Sequence, residues 1–296
     1  MTSNANSLRN QQFKKALVPG AGHIMPGAAN ALAARVIEAT GHSMLMVSGA
    51  AVANTYLGMP DIGLVSLSEL AGHVGAIRDA VNIPLLVDGD TGFGNAINVV
   101  HTVKVLERAG ANAIMLEDQT FPKRCGHFEG KEVVSCDEMV QKIKAAVDTR
   151  QDSNMMILAR TDSRAIEGLQ AAMDRAHAYK QAGADFLFIE APVSVEEMIA
   201  IPKDVPGVHV CNLVVGGKTP LLSQQELAQM GYSVILYANV ALQAALMAMQ
   251  QCLQHLHDKG SVQGIEDQLM MFKERQKMVN ADHFNALAQR YGGRQV

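Results

Sequence analysis

Short apolar runs recur along the chain, and each of them ends in polar residues. A segment whose apolar residues recur every three or four positions, as in a helix, follows each run. Apolar runs of this length, bounded by polar residues, are typical of buried strands. The pattern predicts eight strands, over residues 16–19, 45–48, 84–88, 113–117, 156–160, 186–190, 208–212 and 234–237. Between them, the 3.6-residue periodicity predicts helices that include residues 66–79, 95–109, 135–147 and 167–182.

Three helical segments end at a glycine, in Ala109-Gly110-Ala111, Ala182-Gly183-Ala184 and Met230-Gly231-Tyr232. A glycine at this position can take the left-handed conformation that ends a helix. Strands that are apolar throughout and alternate with helices indicate a parallel sheet with helices over its outer face. Eight such units predict an α/β fold, the (β/α)8 TIM barrel. An open doubly wound sheet is the alternative, but no G-x-G-x-x-G follows the first strand.

After the last predicted strand the pattern becomes purely helical, over residues 241–257 and again over 265–288. We therefore expect a catalytic barrel in residues 1–240 and a helical extension in residues 241–296. The extension would pack on the barrel or on a neighbouring subunit. Its first helix carries an apolar stripe that fits core packing or a subunit interface, namely Leu242, Ala245, Met249, Leu253 and Leu256.

Composition narrows the range of partners. The chain has 296 residues, 48% of them hydrophobic, and a net charge of −4 from 25 basic and 29 acidic side chains. No basic stripe or polybasic run indicates nucleic acid or a membrane surface, so a small molecule is the expected partner. The 4 cysteines lack C-x-x-C spacing, and no apolar stretch resembles a signal peptide or a transmembrane helix. These features predict a cytoplasmic protein with reduced thiols.

Polar side chains stand at the carboxyl ends of the predicted strands, where barrel enzymes carry their active sites. They are Ser48, Asp88, Asp90, Glu117, Asp118, Arg160, Asp162, Glu190, Asn212 and Tyr237. A rim with a purely structural role would not require so many polar groups. We therefore expect the functional site at this end of the barrel.

Three of these acids suggest a metal site. Asp88 and Asp90 are two residues apart in a glycine-rich segment, and Glu117 ends the neighbouring strand. Their mutual repulsion would be relieved by a divalent cation, and Mg²⁺ takes one or two carboxylates together with waters and substrate oxygens. We predict that Asp88, Asp90 and Glu117 bind Mg²⁺, with Mn²⁺ as an alternative. The competing interpretation is that one aspartate caps the helix that begins near Asn95.

A reactive cysteine is the second candidate. Cys125 follows Lys123 and Arg124 and precedes Gly126 and His127, in a loop long enough to cover the barrel mouth. Neighbouring cations favour the thiolate or attract an anionic substrate, and no nearby acid accounts for all of these cations. Such a loop suits a lid that excludes water from a reactive intermediate.

These segments together resemble the isocitrate lyase and phosphoenolpyruvate mutase superfamily, and they occur in its order over nearly the whole chain. The segments are Ser48-Gly49-Ala50, Gly58-Met59-Pro60-Asp61, Asp88 to Gly94, Glu117-Asp118-Gln119, Lys123 to His127, Ala159-Arg160-Thr161-Asp162, Glu190-Ala191, and Asn212 with Gly217-Lys218-Thr219-Pro220. The cysteine segment is similar to the lyase branch, which cleaves 2-methylisocitrate or 2,3-dimethylmalate.

The resemblance implies a Mg²⁺-dependent carbon–carbon lyase acting on a 2-hydroxy di- or tricarboxylate, and it implies a role for each matched residue. Arg160 and Asp61 would be catalytic, and Cys125 would protonate the departing fragment. Substrate binding would involve Arg160 as well as Ser48, Gly49, Ala50, Arg124, Gly126, His127, Glu190 and Asn212. Products would be a 2-oxo acid such as pyruvate and a second carboxylate. The family also implies a dimer or tetramer in which C-terminal helices are exchanged between subunits.

The chain departs from the family pattern at three places. Met46 stands where lyases carry a tyrosine associated with hydroxyl deprotonation, and Ala50 replaces a glycine. Val214 and Val215 replace polar residues that contact an additional carboxylate in methylisocitrate lyases, which favours an alkyl substituent there. The alternatives are oxaloacetate decarboxylation or hydrolysis, phosphonate rearrangement, and a barrel that binds a dicarboxylate without turnover.

Overall fold

The computed structural model describes residues 2–124, 126 and 130–292. Eight parallel strands form a closed barrel in which each strand pairs with its neighbour in sequence and β8 pairs with β1. The strands are β1 (His23–Ala28), β2 (Leu45–Val47), β3 (Leu85–Asp88), β4 (Ala113–Glu117), β5 (Met156–Thr161), β6 (Phe186–Ile189), β7 (His209–Asn212) and β8 (Tyr232–Tyr237). The predicted (β/α)8 fold is confirmed.

Helices cover the outside of the barrel and extend beyond it. They are α1 (Thr2–Ala16), α2 (Ala31–Ala39), α3 (Gly49–Leu57), α4 (Leu67–Ala80), α5 (Ala96–Ala109), α6 (Cys136–Thr149), α7 (Arg164–Glu167), α8 (Leu169–Gln181), α9 (Val195–Asp204), α10 (Gln224–Met230), α11 (Val240–Lys259), α12 (Phe272–Met278) and α13 (Ala281–Arg290). The glycines expected at helix ends, Gly110, Gly183 and Gly231, all have positive φ. None of the described helices combines the length and apolarity needed to cross a lipid bilayer.

The predicted first strand over residues 16–19 is wrong. Ala16 is the last residue of α1, and Phe13 and Leu17 pack in one cluster with residues of the barrel interior such as Met25 and Leu86. The apolar run therefore covers the amino-terminal end of the barrel. The actual β1 escaped prediction because it contains His23, Pro26 and Gly27, which weaken the apolar signal.

Gly27 allows the barrel to close. A Cβ atom at this position would overlap the carbonyl oxygen of Ala238, so only glycine permits β1 to approach the end of β8 this closely. This contact brings the residues that follow β8 to the same rim as the carboxyl ends of the other strands.

In the C-terminal region one expectation is wrong, and one of the two interpretations of the apolar stripe is excluded. Residues 265–288 are not one helix but a 3₁₀ turn (Glu266–Gln268) followed by α12 and α13, and Asn280, with φ of +61°, separates the last two. The stripe on α11 is not core packing within this chain, because α11 has no buried residue and Met249 and Leu253 are 51% and 62% exposed.

Candidate active site

A cavity of about 470 Å³, its open mouth included, lies at the carboxyl ends of the strands. The charged residues that line it are Asp61, Asp88, Lys123, Arg124, Arg160 and Glu190. The uncharged residues that line it are Met46, Ser48, Ala50, Met115, Gly126, Phe188, Asn212, Val214, Leu236, Ala238 and Asn239. The cavity therefore offers cations for an anionic ligand and apolar side chains for its carbon atoms.

The structure brings most of the predicted site residues to this cavity. Those that line it are Ser48, Ala50, Asp61, Asp88, Arg124, Gly126, Arg160, Glu190 and Asn212. Gly49 and Asp90 line a smaller adjoining cavity of about 270 Å³, which shares Asp61 and Asp88 with the first. Glu117 is 1% exposed and faces Arg160. Cys125 and His127 lie outside the described residues.

Lys123 neutralises two of the acids. Its Nζ lies 2.6 Å from Oδ1 of Asp61, 2.7 Å from Oδ2 of the same residue and 2.8 Å from Oδ1 of Asp90. The expectation was that no nearby acid accounts for all three cations of the cysteine segment, and Asp61 and Asp90 account for one of them, Lys123. Its side chain extends into the acidic cluster, where it relieves part of the repulsion that we attributed to a metal ion.

Burial and the neighbouring charges together set the pKa values of this cluster. Loss of solvent raises the pKa of Asp90 to about 7, although the ammonium of Lys123 lowers it. The carboxylates Asp90, Glu117, Asp88 and Asp61 outweigh burial at Lys123 and hold its pKa well above the usual value. Lys123 is therefore a permanent cation at neutral pH.

Arg160 is enclosed by carboxylates. Its Nε and Nη2 donate to Asp162 at 2.9 and 3.0 Å, its Nη1 lies 3.2 Å from Glu117, and its Nε lies 3.7 Å from Glu190. The guanidinium also lies 5.4 Å from the ring centroid of Phe188. Asp162 is thus its bidentate partner within the chain. The guanidinium N–H groups on the cavity side could donate hydrogen bonds to a substrate carboxylate.

A second buried network holds Asp162 in place. The carboxylate of Asp118 accepts hydrogen bonds from the backbone N–H of Asp162 (2.9 Å), from the hydroxyl of Thr161 (2.7 Å) and from the hydroxyl of Tyr179 (2.7 Å). Arg160 is the first cause that lowers the pKa of Asp162 against its burial. Asp162 thus remains ionised and orients the guanidinium.

Asp88 is oriented by backbone groups. Its Oδ1 accepts from the N–H of Asp90 at 3.1 Å and its Oδ2 accepts from the N–H of Gly49 at 3.3 Å. A Cβ at Gly49 would lie 3.0 Å from Asp88 and 3.3 Å from Asp90, so glycine leaves the room that these carboxylates occupy. Neither aspartate caps the next helix, because Asn95 caps α5 with its own side chain.

The donor set fits a hard cation bound largely through waters. Among the described residues, no three Asp, Glu, His or Cys side chains are grouped to bind one ion directly. Asp88 faces the cavity, and Oε1 of Glu117 is buried without a hydrogen-bond partner in the described part of the chain. Burial raises the pKa of Glu117 well above its usual value, against the effect of Arg160. Oxygen donors with waters are the ligands that Mg²⁺ prefers.

The start of the cysteine segment is held close to Arg160. Arg124 exchanges two 2.8 Å hydrogen bonds with the side chain of Gln119 through its backbone groups. The buried ammonium of Lys131 donates to the carbonyl of Gly126 and lies 3.0 Å from Asp162. A Cβ at Gly126 would lie 2.5 Å from Nη2 of Arg160, so a side chain there would displace the guanidinium.

The valine pair divides between two environments. Val214 lines the cavity, whereas Val215 is 59% exposed. The expectation that both valines contact a substituent is therefore wrong for Val215. Oδ1 of Asn212 is buried without a hydrogen-bond partner among the described residues and lies at the same wall.

Sequence reasoning missed Lys123 as a partner of the acids, Lys131 as an anchor of Gly126, and Asn239. The last could have been found, since Asn239 follows β8 by two residues and strand ends were the guide to the other site residues. The pairings of the two lysines depend on the path of a loop, which periodicity does not show.

Comparison with known proteins agrees with this geometry. The family model for phosphoenolpyruvate phosphomutase matches residues 13–257. The chain belongs to the phosphoenolpyruvate mutase and isocitrate lyase superfamily. It is 41% identical over 268 residues to 2,3-dimethylmalate lyase from Eubacterium barkeri, covering 90% of this chain and 93% of the relative. It is 43% identical over 246 residues to 2-methylisocitrate lyase from Aeropyrum pernix, covering 83% and 79%.

Solved structures extend the comparison. An oxaloacetate acetylhydrolase bound to 3,3-difluorooxalacetate superposes with a TM-score of 0.90 at 30% identity, over 97% of this chain and 98% of that one. A phosphonopyruvate hydrolase complex with oxalate and Mg²⁺ gives a TM-score of 0.86 at 31% identity, over 96% and 99%. The expected superfamily is confirmed, and the curated relatives bear out the expectation of a carbon–carbon lyase.

Proposed function

We propose that this enzyme is a Mg²⁺-dependent lyase that cleaves the carbon–carbon bond of a 2-hydroxy di- or tricarboxylate, 2-methylisocitrate or an alkyl-substituted malate. The products are a 2-oxo acid such as pyruvate and a second carboxylate. The observation that carries the proposal is the lining of the cavity, which combines acids and cations with apolar side chains. The curated relatives at 41% and 43% identity are lyases of these two substrates.

Asp88, Asp90 and Glu117 are the residues that would hold Mg²⁺, largely through waters. The ion would supply stabilisation of negative charge that develops on a substrate oxygen. Arg160 holds a substrate carboxylate through its donors on the cavity side, and Asp162 and Glu117 keep the guanidinium oriented. Lys123 offsets the charge of Asp61, which lines the cavity.

The substrate hydroxyl has to lose its proton to a group other than residue 46, because Met46 lines the cavity without a titratable group. The carboxylates of Asp61, Asp88 and Glu190 are acceptors on the cavity wall. Protonation of the departing fragment is assigned to Cys125, because its two neighbours in sequence, Arg124 and Gly126, both line the cavity. Ser48, Gly49, Ala50, Asn212 and His127 complete the substrate contacts that we propose.

We also propose that residues 1–240 are the catalytic barrel and residues 241–296 a helical extension of a cytoplasmic homo-oligomer. Large apolar side chains on α11 and beyond it are exposed, among them Leu253, Met271 and Phe272 at 62%, 64% and 68%. An apolar area of this kind marks an interaction surface. Exchange of these helices between subunits of a dimer or tetramer would cover it, and sedimentation analysis tests this assembly.

The function is tested by a substrate panel. The protein with Mg²⁺ is incubated with 2,3-dimethylmalate, other alkylmalates, methylisocitrate, isocitrate, oxaloacetate and phosphonopyruvate, and 2-oxo acids are followed. We expect pyruvate or another 2-oxo acid from a hydroxy acid. Chelation of the metal should abolish formation of the 2-oxo acid, and so should Asp88→Ala. Unchanged turnover under chelator contradicts the metal role, and turnover of oxaloacetate or phosphonopyruvate alone favours the alternative activities of the superfamily.

The cysteine is tested by Cys125→Ser. We expect kcat to fall by about 10²–10⁴, the usual contribution of a positioned acid, while oxalate still binds in the presence of Mg²⁺. Cys252→Ser, on α11 and away from the cavity, is the matched control and should turn over like the wild type. Wild-type turnover by Cys125→Ser removes the cysteine from the mechanism.

A further inference from the structure

We propose that Asn239 binds substrate, donating a hydrogen bond from its side-chain amide to a carboxylate oxygen of the acid held at Ser48–Ala50. The inference rests on the proposed function and adds a recognition residue to it. Asn239 follows β8, lines the cavity, and lies beside Ser48.

The first observation is that Asn239 does not cap its helix. Asparagine is favoured at helix N-termini because its side-chain oxygen accepts a hydrogen bond from the first turn. Asn30 and Asn95 do this for α2 and α5, with bonds of 2.9 Å to Ala33 and Ile97. Asn239 occupies the same position at the 20-residue α11 and makes no such bond. Its side chain is directed to the cavity instead.

The second observation is the direction of its hydrogen bond to Ser48. The Oγ of Ser48 accepts from the N–H of Ala51 at 3.3 Å, so the serine hydroxyl proton is available to Oδ1 of Asn239, also at 3.3 Å. A carboxamide whose oxygen accepts from Ser48 presents its two N–H donors on its opposite edge. A cavity ligand therefore meets Asn239 as a donor.

The third observation is that the cations on the cavity wall belong to other elements of the barrel. Lys123, Arg124 and Arg160 come from β5 and from the loop after β4. The residues just before Asn239 that line the cavity, Leu236 and Ala238, are apolar, and the side chain that Asn239 contacts is the neutral Ser48. A carboxylate placed there needs uncharged donors to replace lost water, because a buried charge without hydrogen bonds is costly. The amide of Asn239 is such a donor, whereas the N–H groups of Gly49 and Ala51 at the start of α3 already donate to Asp88 and to Ser48.

Oxalate is the probe for the test, since it presents carboxylate oxygens and requires no turnover. Its dissociation constant is measured by calorimetry with MgCl₂ for the wild type and for Asn239→Ala and Asn239→Asp. We expect affinity to fall about tenfold or more in Asn239→Ala, the effect of one hydrogen bond to a charged group. Asn239→Asp should bind more weakly still, because its carboxylate repels the ligand.

Asn95→Ala is the matched control, because it removes an asparagine that does cap a helix. Asn95→Ala should lower the melting temperature and leave oxalate affinity unchanged. Asn239→Ala should lower oxalate affinity and leave the melting temperature unchanged. Wild-type affinity in both Asn239 variants overturns the inference, and so does a wild type that binds no oxalate. A melting temperature lowered in Asn239→Ala as in Asn95→Ala, with no change in affinity, assigns Asn239 to helix stability instead.

Failure of the proposed function has a separate signature. If the substrate panel yields no 2-oxo acid but Asn239→Ala weakens oxalate binding, the binding residue stands and the reaction is wrong. If the wild type cleaves a hydroxy acid and Asn239→Ala shows the same KM and oxalate affinity, the reaction stands and the role of Asn239 is wrong.

Discussion

Arg160→Gln is expected to lose about 3–5 kcal/mol of folding stability, the range measured when one partner of a buried ion pair is removed. Arg160 is 9% exposed, and its guanidinium compensates Asp162, Glu117 and Glu190 together. Glutamine leaves these carboxylates buried without their main cation. The loss is measured as the change in unfolding free energy in urea.

The control is Arg164→Gln. Arg164 also binds a carboxylate through two nitrogens, at 2.9 and 2.6 Å from Glu197, but both side chains are about one-fifth exposed. Its loss should cost less, about 1 kcal/mol, because this pair is partly exposed to solvent. Equal losses for the two variants would show that enclosure by carboxylates does not distinguish Arg160.

A charge-preserving variant separates stability from function. Arg160→Lys retains the positive charge but lacks the fork that binds Asp162 through two nitrogens. We expect it to recover part of the folding stability and to remain deficient in kcat/KM, by about 2–5 kcal/mol of transition-state stabilisation if Arg160 holds substrate as proposed. Wild-type kcat/KM in Arg160→Lys contradicts bidentate recognition at this position.

Lys123→Met is expected to have an effect of similar size, about 3–5 kcal/mol of folding stability. The lysine side chain is 3% exposed, and it bridges Asp61 and Asp90 at 2.6 and 2.8 Å. Removing the ammonium leaves two aspartates in repulsion with each other and with Asp88. Urea denaturation of metal-free protein measures the loss without interference from a bound cation.

Two comparisons interpret this result. Lys14→Met removes a lysine that is 44% exposed and 3.7 Å from Asp185, so its effect should be about 1 kcal/mol or less. The double variant Lys123→Met with Asp90→Asn should lose less unfolding free energy than the two single variants lose in sum, because both partners of the pair are removed together. Strict additivity would indicate that Lys123 and Asp90 do not interact energetically.

Much of the fold follows from local pattern. Strands β2 to β8 lie where apolar runs predict them, and the helices end at the predicted glycines, because both periodicity and helix termination depend on nearby residues. The exception, β1, contains proline and glycine, and the apolar run at residue 16 covers the barrel end instead. Residues 265–288 divide at Asn280, whose positive φ has no periodic signal.

The part of the candidate site that stands at strand ends was also predictable from the sequence. Asp88, Arg160, Glu190 and Asn212 were found because a parallel barrel places the carboxyl end of every strand on one rim. Cys125 and His127, which lie outside the described residues, remain predictions from sequence. Glu117 shows the limit of this rule, since its carboxylate is directed at Arg160 rather than at the cavity. Val215, which we expected at the site from the family comparison, is 59% exposed.

The sequence by itself determined the barrel, its polar rim and the superfamily, because these depend on periodicity, on strand ends and on contiguous motifs. Only the tertiary structure decided which charges meet: Lys123 with Asp61 and Asp90, Arg160 with Asp162 and Glu117, and Asn239 with Ser48. These pairs join residues as much as 191 positions apart. Such contacts depend on loop paths and side-chain directions in three dimensions, which no local pattern specifies.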